Sequence, residues 1–154
     1  MNTSAPEPTR MCGFTTQRVV TSRSPTETRL LAGRLLSELK GKRVFALHGE
    51  LGSGKTCFAK GLADALGVAN PVTSPTFTIL NEHAGARTLF HADLYRLSSA
   101  EEAIEVGLDT YMESDGVTAV EWAERAAEIM PPDAVHVYFE SSPDENTRVI
   151  TVRW

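Results

Sequence analysis

Gly49-Glu50-Leu51-Gly52-Ser53-Gly54-Lys55-Thr56 is the stretch that decides the reading of this chain. It matches G-x-x-x-x-G-K-[ST] at every fixed position. Its flanks match as well. Arg43–His48 is a short apolar run of the kind buried on both faces of a parallel sheet. A helix-period segment follows to Leu66 and is stopped by Gly67. The glycines allow the backbone to wrap closely around phosphate oxygens. Successive N–H groups then form an anion-binding nest, and the helix that begins near Lys55 points its positive end at the same place. The spacing assigns Gly49, Glu50, Leu51, Gly52, Ser53, Gly54, Lys55, Thr56 and the following Cys57 to the nucleotide-binding segment. Lys55 is expected to reach the β- and γ-phosphates, and Thr56 to give a hydroxyl to Mg2+. The side chain of Glu50 is expected to be exposed.

A phosphate loop of this kind needs an acidic partner, and two apolar strands end in one. Asp93 closes Leu89-Phe90-His91-Ala92-Asp93, and Glu121 closes Val117-Thr118-Ala119-Val120-Glu121. Carboxylates at the C-terminal ends of strands project into the crevice where α/β sheets bind ligands. Either can hold Mg2+ while the other orients water, so Asp93, Glu121 and Lys55 are the candidate catalytic residues. Thr56, Glu121 and Asp93 are the candidate metal ligands. Trp122 can flank the nucleotide or simply pack. His48 and His91 read as core or edge residues rather than ligands. Guanine is disfavoured because the chain has no Asn-Lys-x-Asp segment, which leaves ATP as the expected nucleotide.

The rest of the chain fits one α/β domain. Gln17–Thr21 reads as a strand. Ser24-Pro25-Thr26-Glu27 reads as a capping box opening a helix that runs to about Leu39. Thr76–His83 and Arg87–Asp93 read as strands about a turn, and Ser99 opens a helix ended by Gly107. A short helix after Glu121 is broken by Pro131-Pro132. Val135–Glu140 and Arg148–Trp154 read as a closing hairpin. The expected fold is α/β: a P-loop NTPase-like sheet with parallel central strands, antiparallel hairpin strands and helices on both faces. Residues 1–16 read as a disordered leader rich in Thr, Ser and Pro, and 17–154 as the domain. At 154 residues, with 42% hydrophobic and 23% charged, the composition is that of a soluble globular protein. No apolar run is long enough to span a bilayer, and the first ten residues lack the apolar region of a secretory signal. The two cysteines, Cys12 and Cys57, read as free thiols in a reducing cytoplasm. A net charge of −5 does not suggest an autonomous nucleic-acid binder.

Four motifs in order narrow the reading further: the loop at 49–56, Ser74-Pro75-Thr76-Phe77, His91-Ala92-Asp93-Leu94-Tyr95-Arg96 and Val120-Glu121-Trp122. With them the chain resembles the TsaE (YjeE) family of bacterial ATPases, over a span from about Ser24 to the last strand. The resemblance implies that Glu121 is the carboxylate on the metal side and Asp93 the one needed for hydrolysis. It implies a switch-like role for Ser74–Phe77 near the γ-phosphate. It also places Thr26 near the base and Trp122 close to the nucleotide, with Arg148 contributing from the last hairpin. The implied role is to power threonylcarbamoyl transfer to the adenosine beside the anticodon of tRNA. ATP hydrolysis would reset a complex with TsaD-like and TsaB-like partners. The tRNA would then be touched only indirectly, and no membrane is involved. Other readings of the same loop are a small P-loop kinase and a nucleotide-binding regulatory module without turnover.

Overall fold

The computed structural model describes residues 16–73 and 79–154. The leader up to residue 15 and the Ser74–Phe77 motif lie outside the described residues. Thr16, assigned to that leader, exchanges backbone hydrogen bonds with Trp154 in both directions, at 2.9 and 3.1 Å.

In chain order the elements are β1 (Gln17–Ser22), α1 (Pro25–Glu38), β2 (Val44–His48), α2 (Lys55–Leu66), β3 (Leu80–His83), β4 (Leu89–Asp93), α3 (Ala100–Glu105), α4 (Leu108–Glu113), β5 (Val117–Glu121), a 3₁₀ segment (Ala123–Ile129), β6 (Val135–Ser141) and β7 (Arg148–Arg153). Among the described residues the strands form one seven-stranded sheet, ordered β1-β7-β6-β2-β5-β4-β3. The neighbours β6, β2, β5 and β4 run parallel. The pairs β6–β7, β7–β1 and β4–β3 are antiparallel. The parallel centre and antiparallel hairpins are those expected from the sequence.

Apolar residues fill both faces of the central strands, so two cores form. On one face α1 and α2 bury Leu31, Leu35, Phe58 and Leu62 against Phe45, Leu47 and Phe139. Phe58 meets Phe139 edge-on at 5.7 Å and Phe45 at 6.1 Å between ring centroids, which ties the helix after the loop to the sheet. On the other face α3, α4 and the 3₁₀ segment bury Ala103, Leu108, Met112 and Ala126 against Ala46, Ala92 and Val120.

Local chemistry sets the element boundaries. Ser24 Oγ accepts from Glu27 N at 3.1 Å, and Pro25 occupies the first turn. A cap of this type contributes about 1 kcal/mol. Glu27 does not return its bond to the cap residue as a capping box requires. Its carboxylate accepts from Arg23 N, one residue earlier, at 2.7 Å. The start of α3 repeats this: Ser99 Oγ caps Glu102 N, and Glu102 accepts from Ser98 N. Gly107 ends α3 as expected, but its backbone, at φ +90°, also starts α4. The sequence pattern does not announce α4, which has no side-chain cap and fully buries only Leu108 and Met112. The helix after Glu121 is 3₁₀ in type and breaks at Ala126 (φ −135°). No described helix is long and apolar enough to cross a membrane.

Candidate nucleotide site

The site sits at the C-terminal ends of β2, β5 and β4. Chain leaving β2 at His48 must turn back within six residues to start α2 at Lys55. Gly54 makes that turn with φ +117°, a left-handed backbone open to glycine. At Gly49 the constraint is space, since a Cβ there would stand 2.5 Å from Ser53 Oγ and 3.0 Å from the Phe139 carbonyl. Ser53 Oγ is itself buried without a partner among the described residues.

Lys55 is 4% exposed. Its Nζ donates to the carbonyls of Gly49 and Glu50 and lies 4.3 Å from the centre of the Trp122 ring. Burial lowers its pKa, while the carboxylates of Glu121, Glu124, Asp93 and Glu50 oppose that shift. Thr56 Oγ1 donates to Glu121 Oε2 at 2.8 Å. Glu121 is 4% exposed at the end of β5, and its Oε2 also meets His91 Nε2 at 2.6 Å. Asp93 is the register partner of Glu121 on the neighbouring strand. Its Oδ1 accepts from Tyr95 N at 3.0 Å. Burial raises the Asp93 pKa, and the charge of Glu121 adds to the rise. The Tyr95 bond and the charges of His91 and Lys55 oppose it.

The structure therefore brings Lys55, Thr56, Glu121, Asp93 and Trp122 together. Trp122 carries the only positive φ outside glycine among the described residues, +58°. A non-glycine residue in that region costs on the order of 1–3 kcal/mol. The ring is held by Lys55, by Tyr95 at 5.0 Å between centroids and by Arg125 at 5.8 Å. Glu50 and Leu51 are exposed at the tip of the loop.

The remaining expected residues stand elsewhere. Arg148 reaches the loop from the opposite side and donates to the Ser53 carbonyl at 3.0 Å and the Gly52 carbonyl at 3.1 Å. It also donates to the carbonyls of Glu145 and Thr147, so it grips the loop backbone. Cys57 donates to the Pro25 carbonyl at 3.2 Å, and burial raises its thiol pKa. With Ser24, Thr28, Gly54 and Arg148 it lines a cavity of about 60 Å³. Thr26 does not join them. It lines a separate groove of about 560 Å³ between α1 and α2, with Leu30, Gly33 and Gly61.

Three contributors were not legible as such. His91 read as core, and it is fully buried, but its partner is Glu121. Its place two residues before Asp93, on the same face of β4, is the signal that could have raised it. Tyr95 and Arg125 frame Trp122; Tyr95 belongs to the 91–96 motif, but spacing alone does not reveal that it meets Trp122.

Mg2+ takes hard oxygen donors, usually one or two carboxylates with phosphates and waters. The Thr56 hydroxyl and the Glu121 and Asp93 carboxylates are such donors, so the side chains fit that ion. The buried Lys55 ammonium and the unpartnered Ser53 hydroxyl in a loop of close-set backbone suit an anion beside it.

A mixed sheet with a parallel centre, whose strand β2 runs through a glycine-rich turn into a helix and whose neighbours β5 and β4 end in carboxylates, defines an α/β protein with a P-loop-like sheet. A family model described as "Threonylcarbamoyl adenosine biosynthesis protein TsaE" matches residues 22–150. The chain belongs to the TsaE family. A Treponema pallidum relative, the tRNA threonylcarbamoyladenosine biosynthesis protein TsaE, is 43% identical over 122 residues, covering 79% of this chain and 87% of the relative. The Bacillus subtilis protein of the same name is 37% identical over 127 residues, covering 82% of this chain and 79% of its own. The crystal structure of Bacillus subtilis YdiB superposes with a TM-score of 0.72 at 34% identity, over 90% of this chain and 85% of that one.

Proposed function

We propose that this protein binds ATP with Mg2+ and hydrolyses it, and that hydrolysis resets a TsaD–TsaB-type complex. That complex transfers threonylcarbamoyl to the adenosine next to the anticodon of tRNA. The observation that carries the reading is the meeting of Lys55, Thr56, Glu121 and Asp93 at one point on three adjacent parallel strand ends. The role in tRNA modification draws support from the relatives, which are named for threonylcarbamoyladenosine biosynthesis.

Phosphoryl transfer is mostly positioning and charge neutralisation. Lys55 exchanges the Gly49 and Glu50 carbonyls for phosphate oxygens. The loop N–H groups bind the same anion. Thr56 and Glu121 hold the Mg2+ side, and the chemistry that ion supplies is neutralisation of charge on the phosphate oxygens. Asp93, half-buried beside Glu121, accepts a hydrogen bond from the attacking water and aims it. Arg125 and Arg148 are both tied to backbone carbonyls, of Leu97 and of Gly52 and Ser53. Neither is poised as an arginine finger, a device worth roughly 10³–10⁵ in rate. The isolated protein is therefore a slow ATPase that its partners accelerate.

The test is phosphate release from ATP with and without the cognate TsaD–TsaB pair. Stimulation by the pair supports the reading. Equal rates with and without it remove the link to the modification complex, and release that depends on a small phosphoryl acceptor identifies a kinase instead.

A further inference from the structure

His91 is 0% exposed, yet it lies between the apolar Phe90 and Ala92 on a strand otherwise built for the core. Its Nε2 is 2.6 Å from Glu121 Oε2. A carboxylate oxygen accepts, so Nε2 carries the hydrogen. Nδ1 is buried and has no partner among the described residues. A buried nitrogen without a partner is a desolvation cost that an apolar residue would avoid. What the imidazole provides in return is its single bond to Glu121. Thr56 Oγ1 donates to the same Oε2 at 2.8 Å. Two donors from different elements, β4 and the first turn of α2, thus converge on one oxygen. Among the described residues no donor is placed on Oε1. The carboxylate is held against rotation with Oε1 as its remaining acceptor.

We infer that His91 is a positioning residue: its Nε2–H, with the Thr56 hydroxyl, fixes the Glu121 carboxylate so that Oε1 is presented to Mg2+ or its water shell. The inference rests on the Mg-nucleotide reading above. Groups that orient a metal-side ligand in this way alter metal affinity without touching the metal.

The side chain that best imitates Nε2–H is glutamine, whose amide nitrogen reaches the same distance along the chain. Asparagine reaches only to the place of Nδ1, and phenylalanine fills the volume with no donor. The full-length protein is titrated with a non-hydrolysable ATP analogue, in Mg2+ and in EDTA, for the wild type, His91→Gln, His91→Asn and His91→Phe. The wild type is expected to bind more tightly in Mg2+. His91→Phe and His91→Asn are expected to weaken Mg2+ affinity roughly 10–100-fold. In EDTA their affinity for the analogue should equal that of the wild type, and His91→Gln should recover the Mg2+ effect.

Full Mg2+ enhancement in His91→Phe or His91→Asn overturns the inference. So does a glutamine variant that behaves like the other two, or an equal loss in EDTA, which would mark a merely structural histidine. If His91→Phe does not fold, the Asn–Gln pair decides the matter alone. If the wild type itself shows no Mg2+ enhancement, the inference falls together with the Mg-dependent reading. An enhancement untouched by substitution removes only the inference.

Discussion

The two flanks of the glycine-rich loop are built differently. On the β4–β5 flank, buried side chains bond to one another: Thr56 and His91 both meet Glu121, and Asp93 lies in register beside it. On the hairpin flank, one long side chain, Arg148, holds backbone carbonyls of the loop near the surface. The first arrangement fixes the charge and direction of functional groups. The second fixes only the shape of the loop. Substitutions on the first flank should therefore change chemistry or the hold on Mg2+, and those on the second should change the loop's hold on the nucleotide.

The largest effect is expected at the point where the loop meets the first flank. Lys55→Ala removes the ammonium proposed to bind phosphate, and hydrolysis should fall roughly 10²–10³-fold, in the range found for single charge-stabilising groups. A smaller fall in phosphate release would mean that the loop N–H groups carry the charge alone.

Next comes Arg148→Ala. It deletes charged hydrogen bonds to Gly52 and Ser53, and nucleotide affinity should drop about tenfold, as expected for losing roughly 1.5 kcal/mol of such bonding. Turnover at saturating ATP should be retained. Loss of turnover with affinity unchanged would place Arg148 among the chemical groups and erase the contrast between the flanks.

The smallest effect is one of stability, and it has the opposite sign. Burial raises the Asp93 pKa, so at neutral pH this carboxylate costs the folded nucleotide-free protein stability. Asp93→Asn should raise the melting temperature there. The gain is full above the raised folded pKa. It shrinks as pH falls through that pKa and vanishes below the unfolded value, where Asp93 is protonated in both states. A variant that is destabilised at neutral pH would show that the carboxylate is held favourably.

The contrast also explains what the sequence could convey. Lys55, Thr56, Asp93 and Glu121 were legible because each sits at a fixed offset from a buried strand end, and strand ends are readable from apolar runs such as Val117–Val120. The parallel centre followed from the same runs. The role of His91 was hidden, since periodicity places it in the core but does not reveal a partner on another strand. Thr26, which the resemblance places near the base, lines the groove between α1 and α2. Helix phase decides such a point, and Ser24, Pro25 and Thr28 take the place beside Gly54 and Cys57. The α4 helix was missed because it is only six residues long and lacks a side-chain cap.

The role of Asp93 is tested most directly by a single-turnover measurement of phosphate release from ATP by the wild type and Asp93→Ala, with ATP binding followed in the same samples. Asp93→Ala is expected to bind ATP and Mg2+ as the wild type does and to release almost no phosphate. Release at the wild-type rate would contradict it, because the half-buried carboxylate beside Glu121 would then have no part in aiming water.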